Sequence, residues 1–162
     1  MGGFAGSLAA ALLWFASAAA ATWASPRQGI IILVFGGMFI FPLTQLMLRA
    51  SGRPYRLSAQ NPMSQLAMQV AFTVPLNLLV VAGATMHRLN WFYPACMIVV
   101  GTHYLPFSFL YGMWQFSVFG GLLVAAGTLV GLFMGGSFTA GAWMTAAALV
   151  MFAFIGRSGA GK

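Results

Sequence analysis

Residues 91–134 read WFYPACMIVVGTHYLPFSFLYGMWQFSVFGGLLVAAGTLVGLFM, 44 residues without a formal charge unless His103 is protonated. As one helix this stretch would be about 66 Å long, roughly twice the thickness of a bilayer's hydrocarbon core. It must fold back on itself. Gly112-Met113-Trp114-Gln115 is the place for the turn and leaves two apolar spans, 92–111 and 115–134.

The rest of the chain has the same character. Of 162 residues, 61% are hydrophobic and 4% charged, with seven Lys and Arg and no Asp or Glu. A soluble domain carries roughly 25% charged residues, and a water-facing surface cannot be covered from this inventory. Reading outward from the central stretch, further apolar runs cover 4–24, 29–48, 63–84 and 138–156. Ser25-Pro26-Arg27-Gln28, the polar stretch from Arg49 to Pro62, Met86-His87-Arg88-Leu89-Asn90 and Gly135-Gly136-Ser137 punctuate them. The expected fold is an all-α integral membrane bundle of about six transmembrane helices forming one domain over residues 1–162. Ala16-Ser17-Ala18 resembles a signal-peptidase site. Nothing basic precedes it beyond the terminal amine, and the apolar run is long, so retention as a helix is expected.

Orientation follows from the cations. With six spans, Arg49, Arg53, Arg56, Arg157 and Lys162 share one side, and Arg27 and Arg88 the other. The expectation is that both termini are cytoplasmic. Arg49, Arg53 and Arg56 in one loop would meet anionic lipid headgroups. Cations scattered over both faces do not make a nucleic-acid surface.

The missing carboxylates exclude paired-acid glycosidases, Asp- or Glu-based general bases, oxygen-ligated Ca or Mg sites, and transport coupled to protonation of a buried acid. One cysteine, Cys96, permits neither an internal disulfide nor a thiolate-rich metal site. His87 and His103 are too far apart along one hairpin to ligate a single haem iron, and the only lysine, Lys162, is terminal. No metal and no cofactor are expected, and no nucleophile–base pair points to an enzyme.

What remains is polar chemistry inside the membrane, where an unpaired group is costly. Asn61, Gln65, Gln69, Thr73 and Asn77 follow one another at four-residue intervals. Each step rotates by only about 40° on an α-helix, so the side chains form a slowly winding row. Asn61 before Pro62 reads as a helix cap and first-turn proline. Gln69, Thr73 and Asn77 lie deeper, as a polar lining or as interhelical hydrogen bonds, and Gln45 and Gln115 fit either arrangement. The second cluster is Gly101-Thr102-His103-Tyr104-Leu105-Pro106-Phe107. Pro106 removes a backbone donor and crowds the Thr102 carbonyl. A kink there gives His103 three possible roles: proton relay, ligand contact, or partner of the broken backbone. The candidate polar path is Gln69, Thr73, Asn77, His103 and Tyr104. Gly127, Gly131 and Gly135 form a GxxxGxxxG row for close packing, within the chain or against a second copy.

Asn61-Pro62-Met63-Ser64-Gln65-Leu66, Phe92-Tyr93-Pro94-Ala95 and the stretch from Gly101 to Tyr111, with its Gly-x-His-aromatic-Leu-Pro-aromatic pattern, carry a resemblance. Over about residues 29–115 the chain resembles a family of small bacterial multi-pass membrane proteins, domain of unknown function 7010. Thr102 stands where the family pattern has Ala. The family pattern also has a short polar segment ahead of the first helix, whereas here the chain begins almost inside that helix, which leaves a truncated start open. The resemblance implies a fold and a bacterial inner-membrane location, and no activity. The leading functional expectation is a small permease or channel-like protein. The alternative is a membrane scaffold or accessory subunit that binds a partner, or a homo-oligomer, through its glycine-rich helices.

Overall fold

A computed structural model of the chain describes residues 2–50 and 62–159, so Arg53, Arg56, Asn61 and Lys162 lie outside the described residues. Every regular element among them is helical: α1 (Gly2–Trp23), α2 (Pro26–Gly37), α3 (Ile40–Ala50), α4 (Pro62–His87), α5 (Phe92–Tyr104), α6 (Phe107–Tyr111), α7 (Gln115–Phe133) and α8 (Ala140–Gly159), with a 3-10 turn at Leu89–Trp91. Ala5–Trp23, Gln69–His87 and Gln115–Phe133 are long and apolar enough to cross a membrane. The bent pair α2 and α3 makes a fourth if it is one span, and Ala140–Ile155 is a shorter apolar helix. The six expected spans correspond in sequence to α1, α2 with α3, α4, α5 with α6, α7, and α8. Three of these, or four with the bent pair counted as one span, reach that length among the described residues, and α2–α3 and α5–α6 are each interrupted, which hydropathy alone does not register.

The chain divides into two compact units, Met1–Arg56 with Ala142–Lys162, and Leu57–Gly141. In the first, α1 presents small residues: Ala5, Ala9, Ser17, Ala18 and Ala21 are buried beside Trp14. Small side chains let neighbouring helices approach closely. α2 and α3 both pack on α1. Ser17 Oγ donates to the Gly29 carbonyl at 2.8 Å, and a Cβ on Gly36 would run into Leu13. Ser25 caps α2 by accepting from the Gln28 N–H, with Pro26 in the first turn.

α2 meets α3 at a 60° bend. Gly36 and Gly37 are poor helix formers, and Pro42 cannot donate to the carbonyl four residues back. The chain crosses the break on tighter bonds, Met38 N–H to Phe35 O at 3.2 Å and Phe39 N–H to Gly36 O at 2.9 Å. α8 buries Ala142, Thr145, Ala146, Leu149, Phe152 and Ala153 at helical spacing. It is tied to α1 by Trp143, whose Nε1 donates to Thr22 Oγ1 at 3.1 Å and whose ring meets Phe15 and Trp23 edge-on.

The second unit is built on α5 and α7, which run antiparallel in close contact, with α4 against α5. A Cβ on Gly101 would lie 2.7 Å from Gly120 O, and one on Gly120 2.6 Å from Gly101 O. Here two backbones touch, a contact that only glycine permits. Pro106 divides α5 from α6, and Gly112 ends α6 at φ +64, the left-handed region glycine adopts without strain.

Candidate functional site

The polar row stands on α4. That helix has 26 residues, hence a length of about 39 Å, with Thr73 about 17 Å and Asn77 about 22 Å from its start. Both sit near its middle, on either side of Pro75. Gln69, Thr73 and Asn77 are all exposed. Thr73 Oγ1 donates to the Val70 carbonyl at 2.7 Å, and Asn77 Nδ2 donates to the Thr73 carbonyl at 2.8 Å. Each hydroxyl or amide thus finds one partner in its own helix, but Asn77 keeps its side-chain carbonyl and one N–H for something else. Gln69 has no side-chain hydrogen bond among the described residues.

His103 reaches this row from α5. Its Nδ1 lies 2.9 Å from the Val70 carbonyl and 3.4 Å from Thr73 Oγ1. A carbonyl can only accept, so the hydrogen belongs on Nδ1 and, in the neutral ring, the lone pair is on Nε2. The packing of α4 on α5 therefore rests in part on one carbonyl that receives both the Thr73 hydroxyl and the His103 ring. Phe107 lies edge-on to that ring, centroids 4.9 Å apart, and limits its rotation.

The kink works differently from the sequence expectation. The Thr102 carbonyl that Pro106 was expected to free accepts the Leu105 N–H at 3.3 Å, an i to i−3 closure. His103 is bonded to the neighbouring helix instead of its own broken backbone. Tyr104 is buried on another side of α5, stacked on Phe116 at 6.0 Å and edge-on to Phe119 at 5.1 Å. Adjacent helical residues point about 100° apart, so His103 turned to α4 carries Tyr104 toward α7. The structure brings Thr73 and His103 together between α4 and α5, leaves Asn77 one turn further along α4 on the Thr73 carbonyl, and sets Tyr104 in an aromatic cluster.

The other expected residues fall as follows. Gly127 sits where a Cβ would lie 2.8 Å from Pro94 O and 2.9 Å from Met97 Cβ; at Gly131 the nearest atom is Pro94 Cβ at 3.3 Å. α7 ends at Phe133, so Gly135 lies in the turn beyond it, where its carbonyl accepts from Asn90 Nδ2. Gly101 stands in the second polar cluster but not in the glycine packing row, and Gly120 in neither, yet these two bring the backbones of α5 and α7 into contact. Arg49 is exposed in the last turn of α3. Gln115 opens α7 with its Oε1 buried and unpartnered, as is Trp91 Nε1 near the start of α5. Gln45 is half-buried on α3.

A family model described as "Family of unknown function (DUF7010)" matches residues 1–157. The chain belongs to this family. Membership in DUF7010 thus extends from the 29–115 stretch that carried the resemblance to nearly the whole chain, including α1, α7 and most of α8. No curated protein and no solved structure matches the chain.

Proposed function

We propose that this DUF7010 protein is a small permease or channel-like protein of the bacterial inner membrane, with six spans, two of them broken, and both termini cytoplasmic. The polar path runs along α4 and α5 past Gln69, Thr73, Asn77 and His103. The observation that carries this reading is the meeting of Thr73 and His103 on the Val70 carbonyl, about a third of the way along α4. A hydrogen-bonded imidazole with its other nitrogen unengaged, and further along the same helix an amide with unused donor and acceptor, are costly in hydrocarbon and useful to a passing polar solute. Discontinuous helices such as α2 with α3 and α5 with α6 are a common construction of transporters.

The chemistry of the row also selects cargo. Amides, a hydroxyl and a neutral imidazole exchange hydrogen bonds, and no carboxylate anywhere in the chain offsets a bare cation. A small, neutral, hydrogen-bonding solute fits best. The test is flux into proteoliposomes across a panel of neutral, anionic and cationic small solutes, comparing wild type with His103→Ala and Asn77→Leu after checking insertion and fold. Uptake of neutral solutes that drops to the protein-free rate in both variants is the expected result. No uptake of any solute by wild type would sink the proposal.

A further inference from the structure

We infer that the tip of the α4–α5 hairpin is a binding site for a phosphate ester, held by Arg88, the Gly135-Gly136 turn and Trp91. The inference starts from depth and charge. Gln69–His87 and Gln115–Phe133 are each long and apolar enough to cross a membrane. Arg88 follows the first directly, and Gly135 comes two residues after the second. Both stand where a crossing helix would meet the headgroup layer. Arg88 is exposed, and its Nη1 lies 3.7 Å from the place a Cβ on Gly135 would take. Asn90 Nδ2 donates to the Gly135 carbonyl, so the two segments are fastened together at this point. The whole cluster belongs to the Leu57–Gly141 unit. The chain has no Asp or Glu to pair with Arg88, so a counter-ion comes from outside it.

The groups beside Arg88 are donors. The Gly135 and Gly136 N–H groups have no hydrogen-bond partner among the described residues. Trp91 Nε1 is buried without a partner, in the turn that the Trp91 N–H closes on the Arg88 carbonyl at 2.9 Å. The ring against that indole is His87, exposed at the end of α4, with centroids 5.4 Å apart. It is a side chain that a headgroup can turn aside without moving a helix. A guanidinium offers a planar fork to two phosphate oxygens, and successive backbone N–H groups in a turn suit a third. The rim favours a lipid as the source of the ester. Met86, Phe133 and Met134 are exposed apolar side chains flanking these groups in sequence, at the level where acyl chains begin. A zwitterionic headgroup would bring an ammonium that no carboxylate here can pair, so an anionic phosphodiester is preferred. The site stands independently of the transport reading.

The test is titration of the full chain in detergent with phosphatidylglycerol, phosphatidylethanolamine, diacylglycerol and soluble glycerol phosphate, read by native mass spectrometry and by the thermal unfolding midpoint. Wild type should retain phosphatidylglycerol most tightly and diacylglycerol least. Arg88→Gln should weaken the first bound lipid about tenfold. Arg88→Lys, which keeps the charge and loses the fork, should weaken it less. Trp91→Phe keeps a ring and drops the donor, and should cost about threefold. Arg27→Gln removes the same charge from another exposed position and should leave the affinity unchanged. Should Arg88→Gln fail to insert, the order of wild type, Arg88→Lys, Trp91→Phe and Arg27→Gln decides alone. Glycerol phosphate held as tightly as phosphatidylglycerol would uphold the phosphate site and assign it to a soluble ester. Wild type that retains no phosphate ligand, diacylglycerol bound as tightly as phosphatidylglycerol, or equal losses from the Arg27 and Arg88 variants would each overturn the inference.

Discussion

Gly121 and Gly127 lie on the same helix and meet opposite surroundings. A methyl at Gly127 would press on Pro94 O and Met97 Cβ, whereas at Gly121 it would meet nothing within 4 Å. Gly127→Ala should therefore push α5 and α7 apart at a cost of about 1–3 kcal/mol. Gly121→Ala should be neutral or stabilising by up to about 1 kcal/mol, because it replaces a poor helix former. Thermal or denaturant unfolding in detergent would separate the two, and equal effects would remove the close-approach account. His103→Leu breaks the side-chain bond to α4 but leaves the Val70 carbonyl its Thr73 hydroxyl. Its cost in the same assay should stay at about 1 kcal/mol, so loss of function in that variant would not be a folding effect. At this scale the sequence was legible in part. The four-residue spacing of Gln69, Thr73 and Asn77 put them on one side of a helix, as observed. That Thr73 would meet His103, 30 residues away, depends on how α4 is rotated against α5, and no local pattern carries that angle.

The elements are decided by proline and glycine more than by hydropathy. Pro106 closes α5 and Gly112 closes α6 in a left-handed conformation. Gly112→Ala should cost about 1–2 kcal/mol, the penalty for an L-residue at positive φ. Gly136→Ala, at a turn glycine without positive φ and with open space around its Cβ, should cost far less. Unfolding measurements on the pair check the assignment. Pro106→Ala restores a donor for the Thr102 carbonyl, so α5 and α6 should merge into one straighter helix. Spin labels at Val99 and Phe109 would then show a longer, narrower distance distribution than in wild type. An unchanged distribution would mean that packing around Tyr104, not the proline, makes the break. The break at Pro106 was visible in the sequence. The 60° bend between α2 and α3 was less so, because Gly36, Gly37 and Pro42 sit inside an unbroken apolar run that hydropathy reads as one span.

For the whole molecule the decisive quantity is where charge is absent. Six spans with Arg49, Arg53 and Arg56 inside predict that reporter fusions at the Gly112 turn and after Arg157 report cytoplasm, and that fusions beside Arg27 and Arg88 report the far side. A fusion after Arg157 on the same side as Arg88 would require an odd count and withdraw the six-span arrangement. Composition alone pointed to a membrane, since a chain with no Asp or Glu and 61% hydrophobic residues is poorly equipped to cover itself in water, and three helices, or four with the bent pair, are long and apolar enough to cross one. It pointed to the all-helical class as well, because in hydrocarbon a single chain segment satisfies its own backbone only as a helix.

The tertiary structure decided what neighbours what. It showed that Gly101 and Gly120 bring two backbones together, that Tyr104 turns to an aromatic cluster while His103 turns to α4, and that Gly135 lies beyond its helix. The physical reason lies in the solvent. In water, burial of apolar faces announces through periodicity which side of a helix is covered. In lipid the outside is as apolar as the core, so the inward face is set by close packing and by a few hydrogen bonds. Those depend on the fit between helices, and they become readable only once the helices are placed against each other.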